Sequence, residues 1–205
     1  DLFENQVDSV SLSKAWRERV ASLRGEGRQG SLAPVSALAR VLRPYQRQGH
    51  AWLTSRLSWG LGGVLADDMG LGKTVQILSA IASLRAAGGQ KGPVLVVAPT
   101  SVVGVWAEQA TKFTPGLRVR CVGETAARRG TTIVQEAQAS DIVVTSYTLA
   151  RLEADQWREV RLCGVVIDEA QAVKNPRTAT YRALRSMDTP WCLAVSGTPI
   201  ENSLG

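Results

Sequence analysis

The 205-residue chain is 44% apolar and carries 24 Lys and Arg against 18 Asp and Glu, giving a net charge of +6 and a pI near 9.7. That suffices for one domain with a sizeable core, and no run approaches the roughly 18 consecutive apolar residues of a membrane helix, so no membrane partner is expected. A single histidine, His50, excludes a multi-histidine metal site, and Cys121, Cys163 and Cys192 form no C-x-x-C pair.

The three cysteines are expected to be buried, reduced thiols of a cytoplasmic protein. The basic balance favours a polyanionic partner only mildly. Residues Asp1 to Ser9 are acidic and polar and do not read as a signal peptide.

Residues 1–40 are expected to be a helical segment or linker beside the main unit. Leu12, Trp16, Val20 and Leu23 recur at helical spacing, Gly25 and Gly27 would end that helix, and a polar stretch runs to Ser31. From 41 to 205 the pattern is regular. Pro44 can open a helix carrying Gln48, Trp52 and Leu53 that ends near Gly60. Six short apolar runs follow: 63–66, 94–98, 119–122, 142–145, 165–167 and 192–195. Their starts lie 23 to 31 residues apart, room for a strand, a crossover helix and little else. Continuous apolar runs imply burial on both faces. The expected fold is therefore α/β, a parallel sheet flanked by helices on both faces.

The first run leads into Asp67-Asp68-Met69-Gly70-Leu71-Gly72-Lys73-Thr74, and Val75, Ile77, Leu78, Ile81 and Leu84 mark the helix beyond it. Strand, glycine loop, Lys-Thr and helix are the context of a phosphate-binding loop. Gly70 and Gly72 let backbone N–H groups turn inward, and the helix adds the positive end of its dipole. Lys73 would reach the β- and γ-phosphates, and the Thr74 hydroxyl would ligate Mg²⁺. The strict pattern G-x-x-x-x-G-K-S/T asks for glycine where Asp67 stands. The plain alternative is a strand-to-helix turn that happens to contain Gly-Lys-Thr.

A second acidic signal closes the fifth run: Asp168-Glu169-Ala170-Gln171. Ligand sites of open parallel sheets lie at the carboxyl ends of the strands. Asp168 there can hold Mg²⁺ beside Thr74, and Glu169 can orient and deprotonate an attacking water. A helix start, with Asp168 as cap and Glu169 in the first turn, is the structural alternative.

Together with "LRPYQ" (42–46), "APTS" (98–101), "TSY" (145–147), "DEAQ" followed by "KNP", and "SGTPIEN" (196–202), these motifs resemble the Swi/Snf-type DNA translocases of helicase superfamily two. The resemblance covers 41 to 205 and looks closest to the bacterial members; in this family Asp at position 67 is ordinary. It implies a RecA-like first lobe binding ATP with Mg²⁺. Arg43 and Gln46 would read adenine, and 67–74 would hold the phosphates. Lys73, Asp168 and Glu169 would carry catalysis. Pro99, Thr100, Ser101, Ser146 and Tyr147 would line the DNA track, and Gln171, Ser196, Gly197 and Thr198 would couple the two sites. The implied partners are duplex DNA, a second RecA-like lobe of the same polypeptide and DNA-bound proteins, at a cytoplasmic, nucleoid-associated location. With the arginine fingers on the second lobe, this half alone is expected to be nearly inactive.

Three rivals differ in substrate or chemistry. A phosphate-loop kinase would leave "SGTPIEN" unexplained. A non-hydrolysing, ATP-responsive binding module has no need of Lys73, Asp168 and Glu169 together. An RNA-directed helicase more often shows "SAT" and "DEAD" where this chain has "SGT" and "DEAQ". Lys174, Arg177, Arg182 and Arg185 read best as a solvated helix face.

Overall fold

The structure is a computed structural model and describes residues 31–68, 70–88 and 91–197. The expected helix around Leu12 to Leu23 lies outside the described residues, as do Met69 and the stretch from Thr198 onward.

Six strands appear where the apolar runs predict them: β1 (Gly63–Leu65), β2 (Val94–Ala98), β3 (Val119–Val122), β4 (Ile142–Ser146), β5 (Gly164–Asp168) and β6 (Cys192–Val195). They form one sheet in the order β1-β6-β5-β2-β4-β3, every pair parallel. Parallel neighbours cannot be joined by tight turns, so each connection crosses a face and carries helix. The helices are α1 (Ser36–Ala39), α2 (Pro44–Ser58), α3 (Lys73–Ala86), α4 (Thr100–Phe113), α5 (Ala126–Arg129), α6 (Ile133–Gln138), α7 (Tyr147–Leu152), α8 (Ala154–Arg158) and α9 (Ala179–Arg185), with a 3-10 turn at Ala170–Val173.

Side-chain alternation along β2 divides the core in two. Val94, Val96 and Ala98 join Leu53, Ile77, Ile81 and Trp106 of α2, α3 and α4. Leu95 and Val97 point the other way, to Ile133, Ala150, Trp157 and Leu184 of α6 to α9. The α/β architecture with helices on both faces is thus as expected.

Continuous burial holds for β2 and β4 at the centre, but β1, β3 and β6 each expose residues. This corrects one expectation: only Cys163 is buried, while Cys121 on edge strand β3 and Cys192 at the start of β6 are exposed, and all three are free thiols. Burial pushes the Cys163 thiol up to about 11.

Helix α3 packs between α2 and α4 and is buried nearly all round. Its polar residues Gln76, Ser79 and Ser83 therefore need partners. Spaced three and four apart, they form one stripe. Gln76 donates to Asp67 Oδ2 (3.0 Å), Ser79 bonds His50 Nδ1 (2.9 Å), and Ser83 donates to the Ala33 carbonyl (3.1 Å). His50 Nε2 lies 2.9 Å from the Leu32 carbonyl, which can only accept, so the imidazole is protonated at Nε2 and Nδ1 accepts from Ser79. These bonds fasten the described end of the N-terminal segment to the lobe, and Leu38 and Leu42 pack on Val75 beneath it. The only histidine is therefore a structural tie.

Candidate functional site

Every motif residue singled out above that falls among the described residues and belongs to a strand end lies on the carboxyl edge of the sheet. The register shows how they meet. Leu65 pairs with Val195, and Val195 pairs with Asp168. The exit of β1 into the glycine loop and the acidic end of β5 therefore flank the end of β6, two strand spacings or about 10 Å apart. The Ser196 N–H bonds the Leu65 carbonyl (3.1 Å) and extends that ladder into the loop.

Between β1 and α3 the backbone turns through Gly70 (φ +81°) and Gly72 (φ +75°), left-handed positions that glycine takes without penalty. At Gly72 a Cβ would come within 2.5 Å of Gln46 Nε2. The loop is braced from both sides. From α2, Tyr45 Oη and Gln46 Nε2 donate to the Leu71 carbonyl at 3.0 and 3.1 Å, and Gln46 Oε1 accepts the Arg43 N–H (2.9 Å). From α3, Gln76 holds the Asp67 carboxylate. So Asp67, the departure from the strict pattern, is a built part of the loop. The Lys73 ammonium lies inside it and donates to the carbonyls of Asp67 (2.7 Å) and Asp68 (2.9 Å). Gly72 is the N-cap of the 14-residue α3, so the first N–H groups of that helix, which have no partner within it, lie at the end of the loop.

The acidic end of β5 is held differently. Asp168 is 8% exposed. Its Oδ2 accepts the indole N–H of Trp106 (2.8 Å) and its Oδ1 the Glu169 N–H (3.0 Å). Burial pushes the Asp168 carboxyl above its ordinary value, and the bond from Trp106 and the charge of Lys73 pull the other way. Through the β1-β6-β5 register, the loop that carries Lys73 and the turn that carries Asp168 stand at the same edge of the sheet.

Glu169 takes φ +51°, and it is the non-glycine residue with positive φ among the described residues. Such a conformation costs a side chain-bearing residue on the order of 1–3 kcal/mol, so the surroundings must enforce it. They do. Tyr147 Oη donates to the Asp168 carbonyl (2.5 Å) and reaches the Glu169 carbonyl (3.4 Å), and Gln171 Nε2 donates to Glu169 Oε2 (2.6 Å). Ser196 Oγ in turn donates to Gln171 Oε1 (3.1 Å). A continuous chain of bonds thus runs from Ser196 through Gln171 to Glu169. Thr74 offers a hydroxyl and Asp168 a carboxylate, all-oxygen donors of the kind Mg²⁺ accepts alongside phosphate and water.

The expected DNA-track residues divide. Thr100 and Ser101 are exposed in the first turn of α4, whose cap residue, Pro99, makes no side-chain cap bond. Ser146 instead caps α7, accepting the Leu149 N–H (3.3 Å), and is buried. Tyr147 is half-buried with its hydroxyl directed at the acidic turn, and burial pushes its pKa up. Arg43 is exposed at the start of α2, and Gly197 follows β6. Thr198 lies outside the described residues. Sequence reasoning missed Trp106, Gln76 and the phenol of Tyr45. Only Gln76 left a trace, a polar residue between Val75 and Ile77 on a largely buried helix.

Comparison with known proteins converges on one group. The profile of the SNF2-related domain matches residues 45–205. YwqA of Bacillus subtilis, named as a candidate ATP-dependent helicase/translocase, is 39% identical over 164 residues, 80% of this chain and 18% of that protein. The ISWI chromatin-remodeling complex ATPase CHR11 of Arabidopsis thaliana is 36% identical over 193 residues, 92% of this chain and 18% of its own. The chain thus spans less than a fifth of the length of these relatives. Among solved structures, the Sulfolobus solfataricus SWI2/SNF2 ATPase core in complex with dsDNA superposes with a TM-score of 0.70 at 34% identity, over 80% of this chain and 33% of that one.

Proposed function

Because the chain belongs to the SNF2-related domain family, we propose that it is the ATP-binding lobe of a motor that couples ATP hydrolysis to movement along duplex DNA. The support comes first from the carboxyl edge of the sheet, where the register of β1, β6 and β5 brings the glycine loop with Lys73 and the Asp168-Glu169 turn to either side of one strand end. A phosphate cradle and a water-activating carboxylate at one edge form a hydrolysis site.

In this reading the loop N–H groups and Lys73 bind the β- and γ-phosphates, with Lys73 exchanging its two carbonyl partners for phosphate oxygens. Mg²⁺, held by Thr74 and Asp168, would supply charge neutralisation on the phosphate oxygens. Glu169, oriented by Gln171, accepts a proton from the attacking water. The second N–H and second lone pair of the Gln46 amide remain to read adenine, beside Arg43. Thr100 and Ser101, with the N-terminal N–H groups of α4, suit DNA phosphates. The Ser196–Gln171–Glu169 chain suits coupling between the DNA and nucleotide sites. A second RecA-like lobe would complete the ATP cleft and bring the arginine fingers, worth on the order of 10³ to 10⁵ in rate, so this lobe alone would hydrolyse ATP barely. The protein would work in the cytoplasm on nucleoid DNA and the proteins bound there.

The deciding measurement is ATP hydrolysis by the full-length protein with duplex DNA, RNA or no nucleic acid, beside a Glu169→Gln variant. Strong stimulation by duplex DNA, lost in the variant while ATP binding persists, is the expected result. Stimulation by RNA instead would point to the RNA-directed reading. Full activity in the variant would remove Glu169 from its role.

A further inference from the structure

We infer that Trp106 is a positioning residue for the acidic turn, tying the helix that presents Thr100 and Ser101 to the carboxylate of Asp168. The inference rests on the ATPase reading above and adds to it a second connection to the nucleotide site, separate from the Ser196–Gln171–Glu169 chain. Three tryptophans among the described residues are buried: Trp106, Trp157 and Trp191. A buried indole N–H normally finds a partner. Those of Trp157 and Trp191 have none, whereas Trp106 donates to Asp168 Oδ2, 62 residues away in sequence.

This bond does more than satisfy the indole. The Glu169 N–H already engages Oδ1, so the two donors together fix the plane of the carboxylate and leave each oxygen a free lone pair. Trp106 lies about one and two-thirds turns beyond Thr100 on α4, about 9 Å along the axis. The helix is 14 residues long and packs on α3 and the sheet, so a displacement of its exposed first turn carries the indole with it. Tyr147, the first residue of α7, makes the matching connection from β4 to the Asp168 carbonyl. Two of the helices that leave the carboxyl edge thus each place one donor on the acidic turn. Partners of this kind, one step removed from a metal ligand, change affinity or activity by about 10- to 100-fold when lost.

The test uses the full-length protein and a fluorescent ADP analogue, titrated with Mg²⁺ present and with EDTA. In Trp106→Phe the gain in affinity that Mg²⁺ brings should shrink by about tenfold or more, with binding in EDTA unchanged. Trp157→Phe, an equal loss of indole elsewhere in the core, should leave both unchanged. In an Asp168→Asn background, Trp106→Phe should have no further effect, because two residues acting through one contact are not additive. Should Trp106→Phe fold poorly, benzothienylalanine at position 106 keeps the shape of the side chain and removes only the N–H. An undiminished Mg²⁺ response in these variants, or a loss that persists in the Asp168→Asn background, overturns the inference. A wild-type protein whose nucleotide affinity ignores Mg²⁺ overturns the ATPase reading as well, so the two failures are distinguishable.

Discussion

The phosphate loop and the acidic turn face each other across one strand, yet they are built in opposite ways. The loop is made largely from its own neighbourhood: glycines at its bends, Lys73 on its own carbonyls, Gln76 nine residues from Asp67, and one clamp from α2. The acidic turn is made from afar. Trp106, Tyr147 and Ser196 converge on it from α4, α7 and the end of β6, and the residue at its centre, Glu169, has an unfavourable backbone conformation. On the proposed reading, a loop that wraps phosphate needs freedom that glycine supplies locally, and a carboxylate that aims at one water needs rigidity, which requires several independent contacts.

The largest expected effect tests whether that strained backbone serves chemistry rather than folding. Glu169→Gly should lower DNA-stimulated hydrolysis by about 10²- to 10⁴-fold. Its melting temperature should hold or rise, since a left-handed residue with a side chain costs about 1–2 kcal/mol that glycine escapes. A marked fall in melting temperature would mean that Glu169 is structural.

Next comes the loop. Gly72→Ala combines positive φ with a clash on Gln46, and should cost about 1–3 kcal/mol of stability, read from the urea midpoint. ATP affinity should fall with it. Unchanged binding would show that the loop tolerates a side chain at its most crowded bend.

Tyr147→Phe probes the distant support of the acidic turn. It removes the hydroxyl from the Asp168 carbonyl and should cost about 1–2 kcal/mol, with kcat reduced more than KM is raised. An effect on KM alone would place Tyr147 in binding instead.

The smallest effect concerns the tie behind the loop. Burial lowers the pKa of His50 below its ordinary 6.5, so the folded state binds its proton less readily than the unfolded state does. The stability it contributes is present above pH 6.5 and is lost as pH falls toward the folded value. The wild-type melting temperature should therefore drop on acidification below 6.5 more than that of His50→Gln. Equal slopes in the two proteins would show that His50 does not titrate between the folded and unfolded states.

Much of this was legible in the chain itself. The six apolar runs, their spacing and their continuity predicted a parallel sheet under two helix layers, because a strand buried on both faces has no polar side to alternate. The loop residues 67–74 and the acidic pair Asp168 and Glu169 could be named because loop, hydroxyl and carboxylate types follow from phosphate and water chemistry, whereas the adenine, DNA and coupling roles came only from the family resemblance. Less legible were the edges of the sheet: an apolar run reads the same whether or not a helix covers it, and so Cys121 and Cys192 were expected inside and lie at the surface. Tyr147 was expected on the DNA track as part of "TSY", and its hydroxyl turns inward to the acidic turn.

By itself, then, the sequence determined the elements, their order, and which residue types stand at the carboxyl edge, since these depend on contacts within a few residues. Only the tertiary structure decided what holds Asp168 and Glu169 in place. Strand order put β6 between β1 and β5, and α4 carried Trp106 to Asp168 across 62 residues. No local pattern encodes such a contact, because an indole on an apolar helix face looks the same in sequence whether its N–H is idle, as in Trp157, or bonded to the carboxylate on which the site turns.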